Sequence, residues 1–295
     1  MSPLDLPPDL RARLRRLSLV PRGPAAALGF GMHAGRTRGW GIEFAQFRPY
    51  ELGDDLRRID WRLLARSDHF FVREAERESQ LGLWIILDTS ASMAQADRAR
   101  PDWSRLQAAK HLSAALMEIA LKDGDRFGLV ALRQEGGMMT RSGASARHRD
   151  QVFAELSRLA AEGRVSWQRD FDKLGGRFSP GDLLIVLTDG FDEDCVTALE
   201  RLARTGRDIG LIQILTAEER DFPFSENHRF EDPETGQWVL GDGPSMRARF
   251  IARFKAAREG LVARLRAAGI RCAEYFIDES ADRPIRAVFA APQRR

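Results

Sequence analysis

The sequence predicts an α/β fold, a largely parallel β-sheet buried on both faces and flanked by helices. Three observations carry that expectation. From residue 81 onward, short apolar runs alternate with stretches of helical periodicity, the pattern of successive βα units. The runs are nearly continuous in apolar residues, as strands covered on both faces are. Most are bounded by Asp or Gly, which close strands and open turns. A hydrophobic fraction of 43% over 295 residues is enough to fill such a core without disulfide or metal staples.

Along the chain, the first expected element is a short basic amphipathic helix, with Leu10, Leu14 and Leu17 against Arg11, Arg13, Arg15 and Arg16. No aromatic residue accompanies it to anchor a membrane surface, so packing on the domain or on a neighbour is the expected role. Residues 21–41 hold six glycines and read as loop. Strands are expected at 83–87, 127–132, 183–187, 209–215 and 272–277. Between the first two lies a helix over about 105–122, with Leu106, Leu112, Leu116 and Ile119 near one face, Ser104 as its cap and Gly124 beyond its end. Further helices are expected over 147–161, with Val152, Leu156 and Leu159 on a stripe, and over 193–205, with Val196, Leu199 and Leu202. A last helix, 245–268, carries Phe250, Phe254, Leu261 and Leu265 as a core stripe beneath an arginine-rich solvated face. Over 218–244 the period breaks, and two short strands around Asp232-Pro233-Glu234-Thr235-Gly236 read as a hairpin insertion. The expected organisation is therefore an Arg-rich N-terminal segment, 1–80, followed by an α/β domain, 81–290, that carries the hairpin.

Lysine and arginine total 46 against 43 acidic residues, a net charge of +3 that argues little for nucleic acid. The excess is uneven, because residues 1–73 hold 13 arginines against 8 acids, a surface suited to an acidic partner. Cys195 and Cys272 lie far from each other and from any histidine at metal-ligand spacing, which excludes a zinc site and a disulfide framework. No run approaches the ~18 apolar residues of a membrane span and no secretory apolar region opens the chain, so a cytoplasmic protein is expected. The five histidines are scattered, none beside a plausible nucleophile, and no Gly-x-x-x-x-Gly-Lys-Ser/Thr loop binds nucleotide.

The chemistry is concentrated in the loop after the first buried strand. Asp88 emerges at that strand's carboxyl end, where open α/β sheets place their ligand sites, and Ser90 and Ser92 follow at alternate positions. One carboxylate and two hydroxyls are hard oxygen donors, matched to Mg²⁺ or Mn²⁺. The strand 183–187 leads through Thr188 into Asp189-Gly190, a second acid at a strand end that can bind directly or through water. The same loop residues also make ordinary turn and cap hydrogen bonds, so Asp88-Thr89-Ser90-Ala91-Ser92 alone does not establish a metal.

Taken together, Asp88-Thr89-Ser90-Ala91-Ser92-Met93 and Thr188-Asp189-Gly190 resemble the metal-ion-dependent adhesion site of von Willebrand factor A domains. The resemblance implies a Rossmann-like sheet and a bound divalent cation. That site also takes a threonine from an intervening loop. The corresponding stretch here, 162–170, departs from the pattern, with Val165 near the threonine's place and Ser166 as its only hydroxyl. A second set of residues precedes the first strand: Glu43-Phe44, Arg48-Pro49-Tyr50, Gly53-Asp54-Asp55, Arg57, Ile59-Asp60-Trp61, Ala65-Arg66 and Phe71-Val72-Arg73-Glu74. With Asp232-Pro233-Glu234-Thr235-Gly236 and the long last helix, they resemble domain-of-unknown-function family 58, which joins such a segment to a von Willebrand A-like domain. Ile59 and Trp61 are expected to act as apolar anchors, while Arg57, Arg58, Arg62 and Arg66 either pair with neighbouring acids or form a docking surface.

Two functions of different class follow. One is a non-catalytic module whose cation completes its octahedron with an acidic side chain of a partner protein. The family resemblance implies that this partner is a MoxR-type AAA+ ATPase, with the chain as adaptor in assembly or maturation of other proteins. The other is a metal-dependent hydrolase or phosphoryl transferase with Asp88 as nucleophile. Enzymes of the haloacid dehalogenase type, however, carry a second acid where this chain has Ser90.

Overall fold

A computed structural model describes residues 6–20, 44–50, 59–67, 69–75 and 81–289. The chain divides into two compact units, Gly31–Ser79 and the remainder.

In the smaller unit, β1 (Phe44–Pro49) pairs antiparallel with β2 (Phe71–Ala75), and between them lies α2 (Trp61–Ser67). Asp60 starts that helix by accepting the Leu63 amide on its carboxylate at 2.9 Å. Ile59 is buried and bridges Val72. Trp61, the first residue of α2, is 61% exposed. Arg57 and Arg58 lie outside the described residues, as does the side chain of Arg62, and Arg66 is exposed in the last turn.

The larger unit is built on a six-stranded sheet. Its strands are β3 (Gly82–Asp88), β4 (Arg126–Leu132), β5 (Met138–Met139), β6 (Leu183–Thr188), β7 (Asp208–Leu215) and β10 (Arg271–Phe276), in the order β10-β7-β6-β3-β4-β5. All are parallel except the short edge strand β5. The sheet is entered in its middle at β3, grows outward through β4 and β5, and is then continued by β6 on the other side of β3. This is the doubly wound order, with its switch point between β3 and β6. The expected largely parallel sheet is the one observed, mixed but mostly parallel, with the separate hairpin of β8 (Asn227–Glu231) and β9 (Trp238–Asp242).

Period-two alternation splits each strand between two cores. Leu83, Ile85 and Leu87 face one side with α3 (Arg105–Asp123), α4 (Ala146–Arg158) and α9 (Asp282–Phe289). Trp84 and Ile86 face the other with α5 (Trp167–Leu174) and α6 (Glu193–Ala203). Ser104 caps α3 by accepting the Gln107 amide, and Gly124 ends it at φ +77°, a left-handed conformation that a side chain would strain. The basic N-terminal helix α1 (Pro8–Leu14) does pack on the domain, burying Leu6, Leu10 and Leu14 in the first core, while Arg13 reaches Ser280 and Asp282.

After β7 the chain makes α7 (Ala217–Asp221), the hairpin, and then α8 (Gly243–Ala267). The expected core stripe of α8 is shorter than its periodicity suggests. Leu265 is fully buried and Leu261 packs against the second core, whereas Phe250 contacts Phe222, with ring centroids 4.5 Å apart, and Phe254 contacts Phe191. Those phenylalanines belong to an aromatic cluster that, with Phe224 and Phe230, joins the hairpin to the helix.

Candidate metal centre

The parallel pairing of β3 with β6 aligns Leu87 with Leu187, so the residues that follow, Asp88 and Thr188, leave the sheet side by side. Sequence positions 100 apart thereby share one hydrogen bond, in which the Thr188 hydroxyl donates to Asp88 Oδ2 at 2.7 Å. Asp88 Oδ1 accepts the Ser90 amide at 2.9 Å, and this turn brings the Ser90 and Ser92 hydroxyl oxygens to 3.0 Å from each other. The loop is tied down on its other side. Thr89 donates its hydroxyl to the Leu132 carbonyl of β4 at 2.6 Å, the Ala91 amide donates to the Gly163 carbonyl, and the Glu162 amide donates to the Thr89 carbonyl, both at 2.9 Å.

Asp189 stands at the end of β6, half-buried. Its backbone carbonyl accepts Gln213 Nε2 at 2.8 Å and its carboxylate accepts Arg105 Nη1 at 3.1 Å. Gly190 follows at φ +75° and donates its amide to the Thr188 hydroxyl oxygen. Arg105, buried on the first turn of α3, also donates to the Ser92 carbonyl and pairs with Glu219 of α7. It therefore joins the serine loop, the second acid and the start of the hairpin region. Its position at the head of a helix offered no local sign of this role. Burial, and after it the charge of Asp189, push the Asp88 carboxyl up to about 6, against the lowering effect of the hydrogen bonds from Thr188 and Ser90. Among the described residues, no lysine or arginine pairs with Asp88.

This arrangement fits a hard divalent cation. Octahedral Mg²⁺ with bonds of about 2.1 Å sets adjacent ligands about 3.0 Å apart, which is the Ser90 to Ser92 spacing. A carboxylate held above its ordinary pKa by burial, and after it by a second carboxylate, gains from a nearby cation. Gln213, 1% exposed beside Asp189, leaves Oε1 without a hydrogen-bond partner, an acceptor that a cation's water can satisfy. The donor set relies on hydroxyls, and among the described residues no group of three or more His, Cys, Asp or Glu is clustered to hold a metal.

In the intervening loop, Val165 packs against the second core. Ser166 precedes α5 as its N-cap residue but makes no side-chain cap bond, leaving its hydroxyl uncommitted to the helix. Arg164 of the same loop donates its Nε to Glu234 Oε2 at 3.2 Å. Glu234 was expected only as a turn residue of the hairpin. Burial pushes its carboxyl up, Arg164 pulls it down, and the nearby charges of Asp189 and Asp192 push it up again.

A family model described as protein of unknown function DUF58 matches residues 46–260. Two uncharacterized proteins, one of Mycobacterium tuberculosis and one of Mycobacterium bovis, are each 34% identical over 134 residues, covering 45% of this chain and 41% of each relative. The match thus spans about two fifths of these curated relatives. Similar solved structures include BatB from Bacteroides thetaiotaomicron (TM-score 0.38, 16% identity, 64% of this chain and 98% of that one). An aerotolerance-related membrane protein from Bacteroides fragilis gives TM-score 0.39, 18% identity and the same coverage. The SpRpn10 VWA domain gives TM-score 0.36 and 13% identity over 46% of this chain and 75% of that one. No helix among the described residues is long and apolar enough to cross a membrane.

Proposed function

The chain belongs to the DUF58 family of unknown function, and from the geometry at its switch point we propose that it is a non-catalytic, divalent-cation-dependent protein-interaction module. Asp88, Ser90, Ser92 and Asp189 hold Mg²⁺ or Mn²⁺, with Ser166 as a further oxygen donor. An acidic side chain of a partner completes the shell. The observation that carries this reading is the pair of serine hydroxyls at octahedral spacing above a buried aspartate that has no cationic partner among the described residues. The partner proposed is a MoxR-type AAA+ ATPase, with this chain as the adaptor, and the exposed Arg66 together with Arg57, Arg58 and Arg62 offers it a second, basic contact.

Phosphoryl transfer by Asp88 is the weaker reading. Ser90 stands where enzymes of the haloacid dehalogenase type carry the second acid that such a nucleophile needs. The buried lysine, Lys110, spends its ammonium on the carbonyls of Ser157 and Leu159.

The test is thermal unfolding with and without millimolar Mg²⁺ or Mn²⁺, for wild type and Asp88→Ala, alongside turnover of generic phosphoesters. Stabilisation by the cation that vanishes in the variant, without turnover, supports the module. A wild type indifferent to both cations refutes the metal, and turnover lost in Asp88→Ala refutes the absence of catalysis. A magnesium-dependent pull-down that recovers no MoxR-type ATPase refutes that partner.

A further inference from the structure

We infer that the groove along the first half of α8 is a docking site for an acidic, apolar-faced segment of a partner protein. The surface is separate from the cation centre, because none of its residues is among the candidate metal ligands.

α8 is long for what it buries. Of its 25 residues only Gly243 and Leu265 are buried, whereas α3 buries most of its length. A helix of a folded domain ordinarily hides its apolar stripe. Here Met246, Phe250 and Phe254, spaced four residues apart on one face, are half-buried, and Phe191 from the loop after β6 stands beside them 44% exposed. Phe250 and Phe254 stack with ring centroids 5.7 Å apart and 13° between their planes, and Phe191 lies 5.7 Å from Phe254. Together with Arg249 and Arg253 these side chains line a groove of about 560 Å³. From Met246 to Ala257 its wall follows three helical turns, about 16 Å, the length of a short helix or strand laid along it.

The charge of the groove sets the sign of its occupant. Between Gly243 and Arg258 the helix holds four arginines and one lysine and no acid. Arg258 is paired with Glu274 and Lys255 with Glu259, and Arg247 donates to the Asp221 carbonyl. Arg249 and Arg253 are exposed, and among the described residues neither has an ion pair or a side-chain hydrogen bond. Glu219, the acid in the groove wall, is already committed: its carboxylate pairs with Arg105 and accepts the Thr216 amide and hydroxyl. Two uncompensated guanidinium groups, four residues apart, thus flank a stacked aromatic pair. Arginine, methionine and aromatic residues are the types concentrated at the energetic centres of protein interfaces. The complement is a segment with carboxylates for the arginines and bulky apolar residues at helical spacing for the phenylalanines, the helix-in-groove mode of recognition. A simple anion leaves the aromatic wall uncovered, and an uncharged apolar ligand leaves both guanidinium groups unmatched.

The experiment selects 16-residue peptides from a random displayed library on the immobilised full chain and synthesises the enriched ones with a fluorescent label. Anisotropy then gives their affinity for wild type, for Arg249→Gln/Arg253→Gln, for Phe254→Ser and for the control Arg266→Gln, which alters an exposed arginine of α8 outside the groove. The expected peptides carry Asp or Glu together with Leu, Phe or Trp three or four residues apart. Their Kd should weaken ~10-fold or more in the double arginine variant and in Phe254→Ser, and less than ~2-fold in Arg266→Gln. Because the arginine substitutions change only exposed side chains, they test the site in a folded protein. Selection that enriches no acidic class, or enriched peptides that bind the double variant as tightly as wild type, overturns the inference. Two other occupants are read in parallel. Binding to phosphatidylserine–phosphatidylcholine vesicles that is lost in the double variant assigns the groove to a membrane, and self-association in sedimentation that is lost in Phe254→Ser assigns it to a second copy. Either result overturns the inference as well.

Discussion

Replacing Asp88 with asparagine should stabilise the metal-free protein, which is the reverse of what loss of a buried, hydrogen-bonded residue normally does. The folded protein holds this carboxyl at about 6, against an ordinary 3.8, through burial and the charge of Asp189. Ionised at neutral pH, it therefore costs the folded state about 3 kcal/mol relative to the unfolded chain. The Asp88→Asn substitution removes the charge and keeps the shape. The new amide oxygen can still accept the Ser90 amide, while the Thr188 hydroxyl must find a new acceptor, a loss of about 1 kcal/mol. The net gain of about 2 kcal/mol corresponds to a rise in Tm of roughly 4–8 °C for a domain of this size. Cation binding should reverse the ranking of the two proteins' responses. Wild type gains about 2.7 kcal/mol at a cation concentration of 100 times Kd, and Asp88→Asn gains little. The assay is calorimetric unfolding at pH 7.5 in chelator and in magnesium. If Asp88→Asn melts below wild type in chelator, the strain ascribed to Asp88 does not exist. If it also shifts equally with magnesium, Asp88 is not a ligand.

The same carboxyl predicts a pH dependence whose sign follows from its raised value. Between about pH 4 and 6 the folded state binds the extra proton, so metal-free wild type should lose stability relative to Asp88→Asn as pH rises through that window, and the difference should level off above it. Denaturant unfolding of both proteins across the range measures this, and a constant difference refutes it. Arg105→Gln leaves Asp189 and Glu219 without their buried guanidinium and should cost about 3–5 kcal/mol in chelator, part of which magnesium restores by neutralising Asp189. Variant stability unchanged by the substitution would show that the network is not needed. Ile86→Ala, in the fully buried centre of β3, should cost about 2–5 kcal/mol by denaturant unfolding and leave the magnesium-induced shift in place, because it empties the core without touching the oxygen donors.

Much of the fold was legible because its signals are local. Apolar runs of strand length mark β3, β6 and β7 whatever their neighbours, and Ser104 and Gly124 bracket α3 by satisfying backbone groups within one turn. Burial on both faces demanded continuous apolar strands, and their polar ends placed Asp88 and Asp189 at the sheet's carboxyl edge. Periodicity was less informative about what covers an apolar face. Phe250 and Phe254 share a stripe with Leu265, yet they pack on the aromatic cluster while Leu265 enters the sheet core.

By itself, then, the sequence determined the five parallel strands of the sheet and which oxygen-bearing side chains stand at their ends, since these depend on near neighbours along the chain, whereas β1, β2 and the edge strand β5 carried no such mark. The tertiary structure alone decided that β3 and β6 are adjacent, that Asp88 meets Thr188 and Asp189, and that Arg105 joins the second acid to α7. It also brought Glu234 to Arg164, 70 positions away in sequence. Strand order and long-range ion pairs arise from how layers pack against one another, and a charged residue in the sequence carries no mark of which distant charge it will meet.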